Sequence, residues 1–292
     1  MSKAAHLRQR AERTSSSLPP LLADAHQLAA TVMLGEHGRR RSGTGEEFWQ
    51  YRQSGPSDSA RSIDWRRSGR SDDTHFVREK EWQAAQTVEF WVDVGQSMQF
   101  SSDPNVETKC DRAKLLVLSL AILLVRAGER VGLSGSGLGA RTGDAHLARI
   151  AEALSLAEGR EEYGTPNGRE LTARARAAFF SDFMGDIQPI RRALTDAADR
   201  GIKGALVQIL DQTEEVFPFD GRTRFLSMGG GTEFETQKAG NLRGRYLDRL
   251  AAKRAALEDL CRDTGWRFQT HHTHGEPLPA LIWLFNTLGA AK

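Results

Sequence analysis

The sequence predicts an α/β protein with a doubly wound, mainly parallel sheet. From residue 87 to residue 288, segments with the alternating pattern of strands are followed by segments with helical spacing, and this order is typical of parallel sheets. The clearest strand begins at Thr87 and ends on Asp93, before the turn-forming Gly95, Gln96 and Ser97. Ligands of such sheets bind beyond the carboxyl ends of the strands, so we expect Asp93 and Ser97 to lie where function is carried out.

The same patterns predict the remaining elements of the sheet and its helices. Strands are predicted at residues 131–136, 177–184, 205–210 and 266–270, and helices at 109–128, 144–158, 169–178, 187–200, 242–264 and 278–288. The helix at 109–128 is apolar on nearly all sides, which predicts that it is buried against the sheet.

Three regions are predicted along the chain. Residues 1–34 form a basic arm followed by a helix from residue 21, and a cleavable transit peptide is the alternative for the arm. Residues 35–85 are rich in glycine, serine and arginine and predict short strands at 48–52 and 74–78. Because this segment has too few aliphatic residues for a core, we expect it to pack on the sheet as a small β-rich insertion. Residues 86–292 form the α/β domain.

Composition argues against several classes of function. The 292 residues carry a formal net charge of +2, from 40 basic and 38 acidic residues, so we expect no nucleic-acid binding. The longest apolar run, residues 115–125, is shorter than the roughly 20 residues that span a bilayer. The two cysteines stand alone in the sequence, which suits a reducing compartment. We therefore expect a soluble, cytoplasmic protein without membrane insertion.

Acidic residues end three of the predicted strands, at Asp93, Asp182 and Asp211. With Ser97 and Thr165 they would form a cluster of oxygen ligands at one edge of the sheet, which suits magnesium, calcium or manganese. The alternative is that Asp93 and Asp182 cap the helices that follow their strands, and the spacing alone does not separate the two hypotheses.

Two sets of motifs resemble a known family. The D-x-G-x-S pattern at residues 93–97, with Thr165 and Asp182, resembles the von Willebrand factor A domain. The upstream segment at residues 47–81, EFWQYRQSGPSDSARSIDWRRSGRSDDTHFVREKE, is similar to the signature of the bacterial domain-of-unknown-function family 58. Lys109, the DQTE of residues 211–214, the FPF of residues 217–219 and the GWRFQTHHT of residues 265–273 match in the same order.

The resemblance implies a Rossmann-like, von Willebrand factor A-like fold with a metal-ion-dependent adhesion site. Its ligands would be Asp93, Ser97, Thr165 and Asp182, and its ion Mg²⁺ or Mn²⁺. Gly95 stands where the motif has its first serine, so binding would be weak or absent. A serine at this position would then tighten binding, unless Gly95 adopts a positive φ that serine tolerates only with strain.

Two classes of function follow from the resemblance and the site. The first is a non-enzymatic protein-binding adaptor that works with a MoxR-type AAA+ ATPase and a client protein in protein or complex assembly. The second is a metal-dependent phosphohydrolase or nucleotide-binding enzyme at the same edge. The second class needs a general base and a phosphate-binding loop, which the sequence does not clearly supply, so we favour the adaptor.

Other motifs favour ordinary structural roles. The G-x-G-x-x-A match at residues 135–140 favours a glycine turn over a dinucleotide site, and the glycines at 229–231 lack the lysine of a phosphate-binding loop. His271, His272 and His274 follow a predicted strand, and we interpret them as exposed loop histidines in preference to zinc ligands.

Overall fold

The computed structural model describes residues 20–36, 48–55, 63–69, 75–80, 85–231 and 233–289. The chain divides into two compact units, one of residues 41–85 and the other of residues 1–40 and 86–292. The predicted basic arm at the start of the chain lies outside the described residues.

The smaller unit contains a two-stranded antiparallel sheet. Strand β1 (Phe48–Gln53) pairs with β2 (Phe76–Lys80), close to the two predicted strands. Between them lies a short helix, α2 (Trp65–Ser68), whose first turn is capped by the Asp64 carboxylate. The ring of Trp65 packs edge-on against His75, and the Arg67 guanidinium lies over Phe76. The packing of this unit on the central sheet stays a prediction.

Six strands form the central sheet of the larger unit. In chain order they are β3 (Thr87–Val92), β4 (Arg130–Leu133), β5 (Leu138–Arg141), β6 (Arg176–Ser181), β7 (Lys203–Leu210) and β10 (Arg267–His272). Their order in space is β10-β7-β6-β3-β4-β5. Neighbouring strands are parallel except for β5, which is antiparallel to β4. This arrangement confirms the predicted α/β class with a doubly wound, mainly parallel sheet, and it is consistent with a Rossmann-like or von Willebrand factor A-like fold.

Helices cover both faces of this sheet. They are α1 (Pro20–Glu36), α3 (Lys109–Arg126), α4 (Asp144–Leu156), α5 (Ile187–Asp199), α6 (Gln212–Val216), α7 (Gly240–Thr264) and α8 (Pro277–Leu288). The apolar residues of α1, α3, α4 and α8 share one core cluster with Val88 and Phe90 of β3. Those of α5 and α7 form a second cluster, against which Trp91 of β3 packs. The alternating residues of one strand thus serve two cores, as expected of a sheet buried on both faces.

The largely apolar helix α3 is buried against the sheet, as predicted. Thirteen of its residues are buried, and it packs near β3, β6 and β7 as well as α1 and α8. The Thr108 hydroxyl accepts a hydrogen bond from the backbone N–H of Asp111 at 3.1 Å and caps the helix. The start of α3 is therefore fixed above the carboxyl ends of the central strands.

Two parts of the structure differ from the sequence prediction. The helix predicted at 169–178 is wrong: only a single turn of 3₁₀ helix forms at Gly168–Glu170, and β6 begins at Arg176. The buried Glu89 carboxylate binds the backbone N–H and the hydroxyl of Thr172, which takes that residue's N–H away from a helical hydrogen bond. In addition, β5 and a short hairpin of β8 (Thr223–Leu226) and β9 (Glu233–Thr236) were not predicted.

Among the helices of the described ranges, none has the length and apolar character that crossing a membrane requires.

Candidate functional site at the carboxyl edge of the sheet

The strand order reverses between β3 and β6, and two of the predicted site residues lie at this point. From β3, the chain runs to β4 and β5 on one side and returns to β6 on the other. Asp93 follows β3 directly and Asp182 follows β6 directly. The backbone N–H of Asp93 donates to the Phe180 carbonyl at 2.8 Å, so the two strand ends are adjacent. Such a switch point is where ligands bind in open α/β sheets.

Asp93 organises the loops around it. Its Oδ1 accepts hydrogen bonds from the backbone N–H groups of Gly95 at 2.8 Å and Gly164 at 3.0 Å, and its Oδ2 accepts from the Ser181 hydroxyl at 2.7 Å. Burial raises the pKa of Asp93 above its ordinary value, although these hydrogen bonds act in the opposite direction. The carboxyl group is therefore a buried anchor for two loops and a neighbouring strand.

Ser97 and Thr165, the two predicted hydroxyl ligands, lie in different surroundings. Ser97 is buried in the 3₁₀ turn Gln96–Gln99, and its hydroxyl oxygen is buried with no hydrogen-bond partner among the residues that the structure describes. Thr165 is exposed. The loop that carries it contacts Asp93 through the backbone N–H of the preceding Gly164. Of these two residues, only Ser97 thus holds its hydroxyl in the interior of the edge.

Asp182 is paired with a buried lysine. The Lys109 ammonium, at the first position of α3, lies 2.9 Å from Asp182 Oδ2 and 2.7 Å from Glu214 Oε1. Asp182 Oδ1 accepts the backbone N–H of Met184 at 3.0 Å. Burial opposes the charge of Lys109, but Asp182 and Glu214 more than offset this effect and raise the pKa of the ammonium. Burial raises the pKa of Glu214 despite the nearby ammonium.

Asp211, the third strand-end acid, is a helix cap. It follows β7 and forms a capping box with Glu214. The Asp211 side chain accepts a backbone N–H from the first turn of the helix, and the Glu214 side chain accepts the backbone N–H of Asp211. Its Oδ1 accepts the N–H of Thr213 at 2.8 Å and its Oδ2 accepts the N–H of Ser102 at 3.0 Å. Burial alone would raise the pKa of Asp211, but these hydrogen bonds lower it. The capping alternative concerns Asp93 and Asp182 instead, and there it is wrong, because the helices after β3 and β6 have Gly95 and Asp186 at their N-cap positions.

Lys109 and Glu214 were not predicted as site residues from the sequence. Lys109 is the lysine that matches the family motifs, and this match was the available signal, because the helix also carries Arg112, Lys114 and Arg126. Glu214 belongs to the D-x-x-E pattern at residues 211–214, which is a capping-box pattern when a helix follows. Its Oε2 accepts the backbone N–H of Asp211 at 2.8 Å while its Oε1 binds Lys109, so one carboxylate performs both roles.

Gly95 lies where two loops approach closely. Its φ is −59°, so the proposed requirement for a positive φ is wrong. A Cβ at this position would lie 2.8 Å from the Glu162 carbonyl oxygen, 2.9 Å from Asp93 Oδ1 and 3.1 Å from the Gly164 nitrogen. Lack of space therefore explains the glycine, and the backbone conformation does not.

Of the three histidines predicted as exposed loop residues, the prediction is wrong for His271 and His272, which lie on β10, and right for His274. His271 lies on the strand and is buried, with its Nε2 2.9 Å from an Arg112 guanidinium nitrogen. Burial, together with Arg112 and His272, lowers the pKa of His271 to about 4. His272 pairs with Glu215, which also binds Arg254 at 2.9 Å. Of the three histidines, His274 is exposed.

The G-x-G-x-x-A segment forms the turn between β4 and β5, with positive φ at Gly135 and Gly137, which confirms the predicted glycine turn.

An exposed hairpin lies beside this edge. In β8, Phe225 packs on the rings of Phe217 and Phe219 at 5.8 and 5.3 Å between centroids. Leu226 and Phe234 of the hairpin are 61% and 51% exposed. A Cβ at Gly229, in the turn between β8 and β9, would lie 3.5 Å from the Glu162 side chain. The hairpin therefore borders the loop that binds Asp93 and presents apolar side chains to solvent.

The fold and this edge define a doubly wound α/β protein whose strand-end acids are held by backbone donors and a buried lysine. The chain belongs to the family described as "Protein of unknown function DUF58", which it matches over residues 50–256. The family membership predicted from the sequence motifs is confirmed.

Two solved structures are similar to the chain at low identity. An aerotolerance-related membrane protein from Bacteroides fragilis NCTC 9343, crystallised with multiple mutations to serines, is 14% identical with a TM-score of 0.42. The conserved hypothetical protein BatB from Bacteroides thetaiotaomicron is 11% identical with a TM-score of 0.43. Each match covers 70% of this chain and 98% of the other. No curated protein matches the chain.

Across the described residues, no three His, Cys, Asp or Glu side chains are grouped as a metal site requires. Binding of Mg²⁺ or Mn²⁺ by Asp93, Ser97, Thr165 and Asp182 stays a prediction.

Proposed function

We propose that this protein is a non-enzymatic, protein-binding adaptor in the cytoplasm that works with a MoxR-type AAA+ ATPase and a client protein. Its recognition surface is the carboxyl edge of the sheet together with the hairpin β8–β9. The ATPase comes from the family resemblance, in which related proteins are encoded beside such enzymes. The edge is a degenerate metal-ion-dependent adhesion site at Asp93, Ser97, Thr165 and Asp182, where Mg²⁺ or Mn²⁺ binds weakly or not at all.

The observation that carries the proposal is the contrast between the interior and the rim of this edge. Asp93 and Asp182 are buried and bound to protein donors, so they hold loops in place. The rim presents apolar side chains instead: Val216, Leu226, Met228 and Phe234 are exposed. Exposed apolar side chains near one another in the chain are typical of protein-interaction surfaces, and a rigid edge below them reduces the entropy lost on binding.

Two exposed charge pairs lie across the hairpin. The Arg222 guanidinium lies 2.7 Å from Glu235 Oε1, and Arg224 donates to Glu233 at 2.8 Å, both across the two strands. The register pairs Phe225 with Phe234, so the exposed Phe234 ring lies on the same face as the anchored Phe225 ring. A partner that covers Phe234 would extend an aromatic cluster that already includes Phe217.

Binding to a MoxR-type ATPase from the same source tests the proposal. We expect wild-type protein to bind the ATPase and to change its rate of ATP turnover. The double variant Leu226→Ser, Phe234→Ser should bind at least about tenfold more weakly, because hot-spot side chains each contribute on the order of 1–2 kcal/mol. The control is Ile282→Ser, since Ile282 is 42% exposed and lies on α8, away from the hairpin.

The outcomes separate the alternatives. Equal binding by the double variant and the control would reject the hairpin as the recognition surface, and failure of wild type to bind would reject the partner. Metal-dependent hydrolysis of phosphoesters that is lost in Asp93→Asn would instead favour the enzyme hypothesis.

A further inference from the structure

The buried ammonium of Lys109 occupies the centre of the three strand-end segments. It binds Asp182 after β6 and Glu214 after β7, and it lies 5.8 Å from the ring centroid of Phe100 in the segment after β3. A divalent ion in an adhesion site of the resembled kind would join two of these segments, those after β3 and β6, and would share the ligand Asp182 with Lys109. We infer that Lys109 is the resident cation of this edge and takes the place that the resemblance assigns to a metal ion.

Burying the Lys109 ammonium at this position costs free energy unless the ammonium is paired with Asp182 and Glu214. The residue is 1% exposed, and a charged group is buried only at a large desolvation cost. It is also the first residue of α3, where the positive end of the helix dipole disfavours a cation. The contacts with Asp182 and Glu214 offset both effects.

The net charge of the groups around Lys109 matches one bound cation. Asp182 and Glu214 contribute −2 and Lys109 contributes +1, so the three groups sum to −1. Without the ammonium they would sum to −2, which one divalent ion neutralises completely. Lys109→Ala should therefore create a cation site in the space that the lysine side chain leaves.

The oxygen donors also indicate that the lysine has replaced a metal. The two carboxylate oxygens lie 2.9 and 2.7 Å from the ammonium nitrogen, whereas Mg²⁺ binds oxygen at about 2.0–2.1 Å. These are hydrogen-bond distances, so a bound Mg²⁺ would need the carboxylates to move inward. Asp93 is already bound by protein donors, since its Oδ1 accepts two hydrogen bonds and its Oδ2 accepts one. As arranged, the donor set fits an ammonium better than a dication.

Thermal unfolding in EDTA and in excess Mn²⁺, with bound Mn²⁺ counted by electron paramagnetic resonance, tests the inference. We expect wild type to unfold at the same temperature in both buffers and to bind no stoichiometric Mn²⁺. Lys109→Ala should unfold at a lower temperature in EDTA, regain stability in Mn²⁺, and bind one ion at least about tenfold more tightly than wild type, because it gains a net buried charge of −1. Lys109→Met is the matched control: it removes the same charge but fills the space, so Mn²⁺ should not restore its stability.

Either of two results overturns the inference. One is stoichiometric Mn²⁺ binding by wild type that is lost in Asp93→Asn, since a metal would then be the resident cation. The other is a Lys109→Ala variant that is as stable as wild type in EDTA. If Lys109→Ala does not fold, the wild-type measurement decides alone: indifference to EDTA and Mn²⁺ supports the inference, and binding rejects it. None of these measurements involves the ATPase, so the adaptor proposal can fail independently.

Discussion

Replacing Gly95 with serine tests why a glycine interrupts the D-x-S-x-S pattern. From the sequence alone, the substitution would supply a missing metal ligand and tighten Mg²⁺ or Mn²⁺ binding. The structure leads to the opposite expectation, because the new Cβ would lie 2.8 Å from the Glu162 carbonyl oxygen and 2.9 Å from Asp93 Oδ1. Contacts below 3.0 Å are not tolerated by a Cβ, so the loops must separate.

The surrounding hydrogen bonds set the magnitude. The N–H groups of Gln96 and Ser97 donate to the carbonyls of Glu161 and Glu162 at 2.9 Å, so the two loops are joined directly beside the clash. Overpacking of this kind typically costs about 1–3 kcal/mol. In a protein of this size, the corresponding decrease in the unfolding temperature is about 2–12 °C.

Chemical and thermal unfolding measure this loss, and the chain offers matched controls. Gly95→Ala adds the same Cβ without a hydroxyl, so it should lose about as much stability as Gly95→Ser. Gly139→Ser is the opposite control, since a Cβ at Gly139 meets no atom within 4 Å, and it should leave the midpoint nearly unchanged. Wild-type stability of Gly95→Ser would refute the steric argument, and tighter Mn²⁺ binding by that variant would restore the hypothesis of a missing ligand.

Two further predictions concern charged groups outside the cation site. The pKa of His271 is about 4 in the folded protein and about 6.5 when unfolded, so the unfolded chain binds more protons between these values. The free energy of unfolding should thus fall by up to about 3 kcal/mol as the pH is lowered from 6.5 to 4. Denaturant titrations across this range should show a smaller fall for His271→Gln, whose amide oxygen still accepts from Arg112; equal falls would contradict the assignment. Asp211→Ala removes the acceptor of the Ser102 and Thr213 N–H groups and should lower the free energy of unfolding by about 1–2 kcal/mol, whereas an unchanged denaturation midpoint would mean that the cap contributes nothing.

The fold was predictable because its strands and helices are long and strongly patterned. β3 and α3 each carry the periodicity of their class, and burial on both faces made the central strands continuously apolar. The short strands β5, β8 and β9 have four residues each and alternate between half-buried and exposed positions or are largely exposed. Such segments have too little apolar character to be distinguished from loops.

The site was predictable only in part, and the reason is sequence separation. The position of a strand-end acid can be predicted from the sequence, since each of these acids directly follows a strand. Lys109 gives no such sign, because its partners Asp182 and Glu214 lie 73 and 105 residues further along the chain. Only the order of strands in the sheet brings them together. The lack of space around Gly95 could not be predicted from the sequence for the same reason, since it depends on the distant loop at Glu162.

The topology itself explains why this edge needs a cation. Asp93 and Asp182 end neighbouring strands on the two sides of the switch point, and both are buried, so their charges would repel strongly at low dielectric. Asp93 is stabilised by neutral donors from backbone and Ser181, whereas Asp182 receives an ammonium. A lysine tethered to α3 supplies that charge without depending on the concentration of a free ion. An edge held in this way would stay ordered whether or not divalent ions are present, which suits the proposed role of this edge as a partner-binding surface.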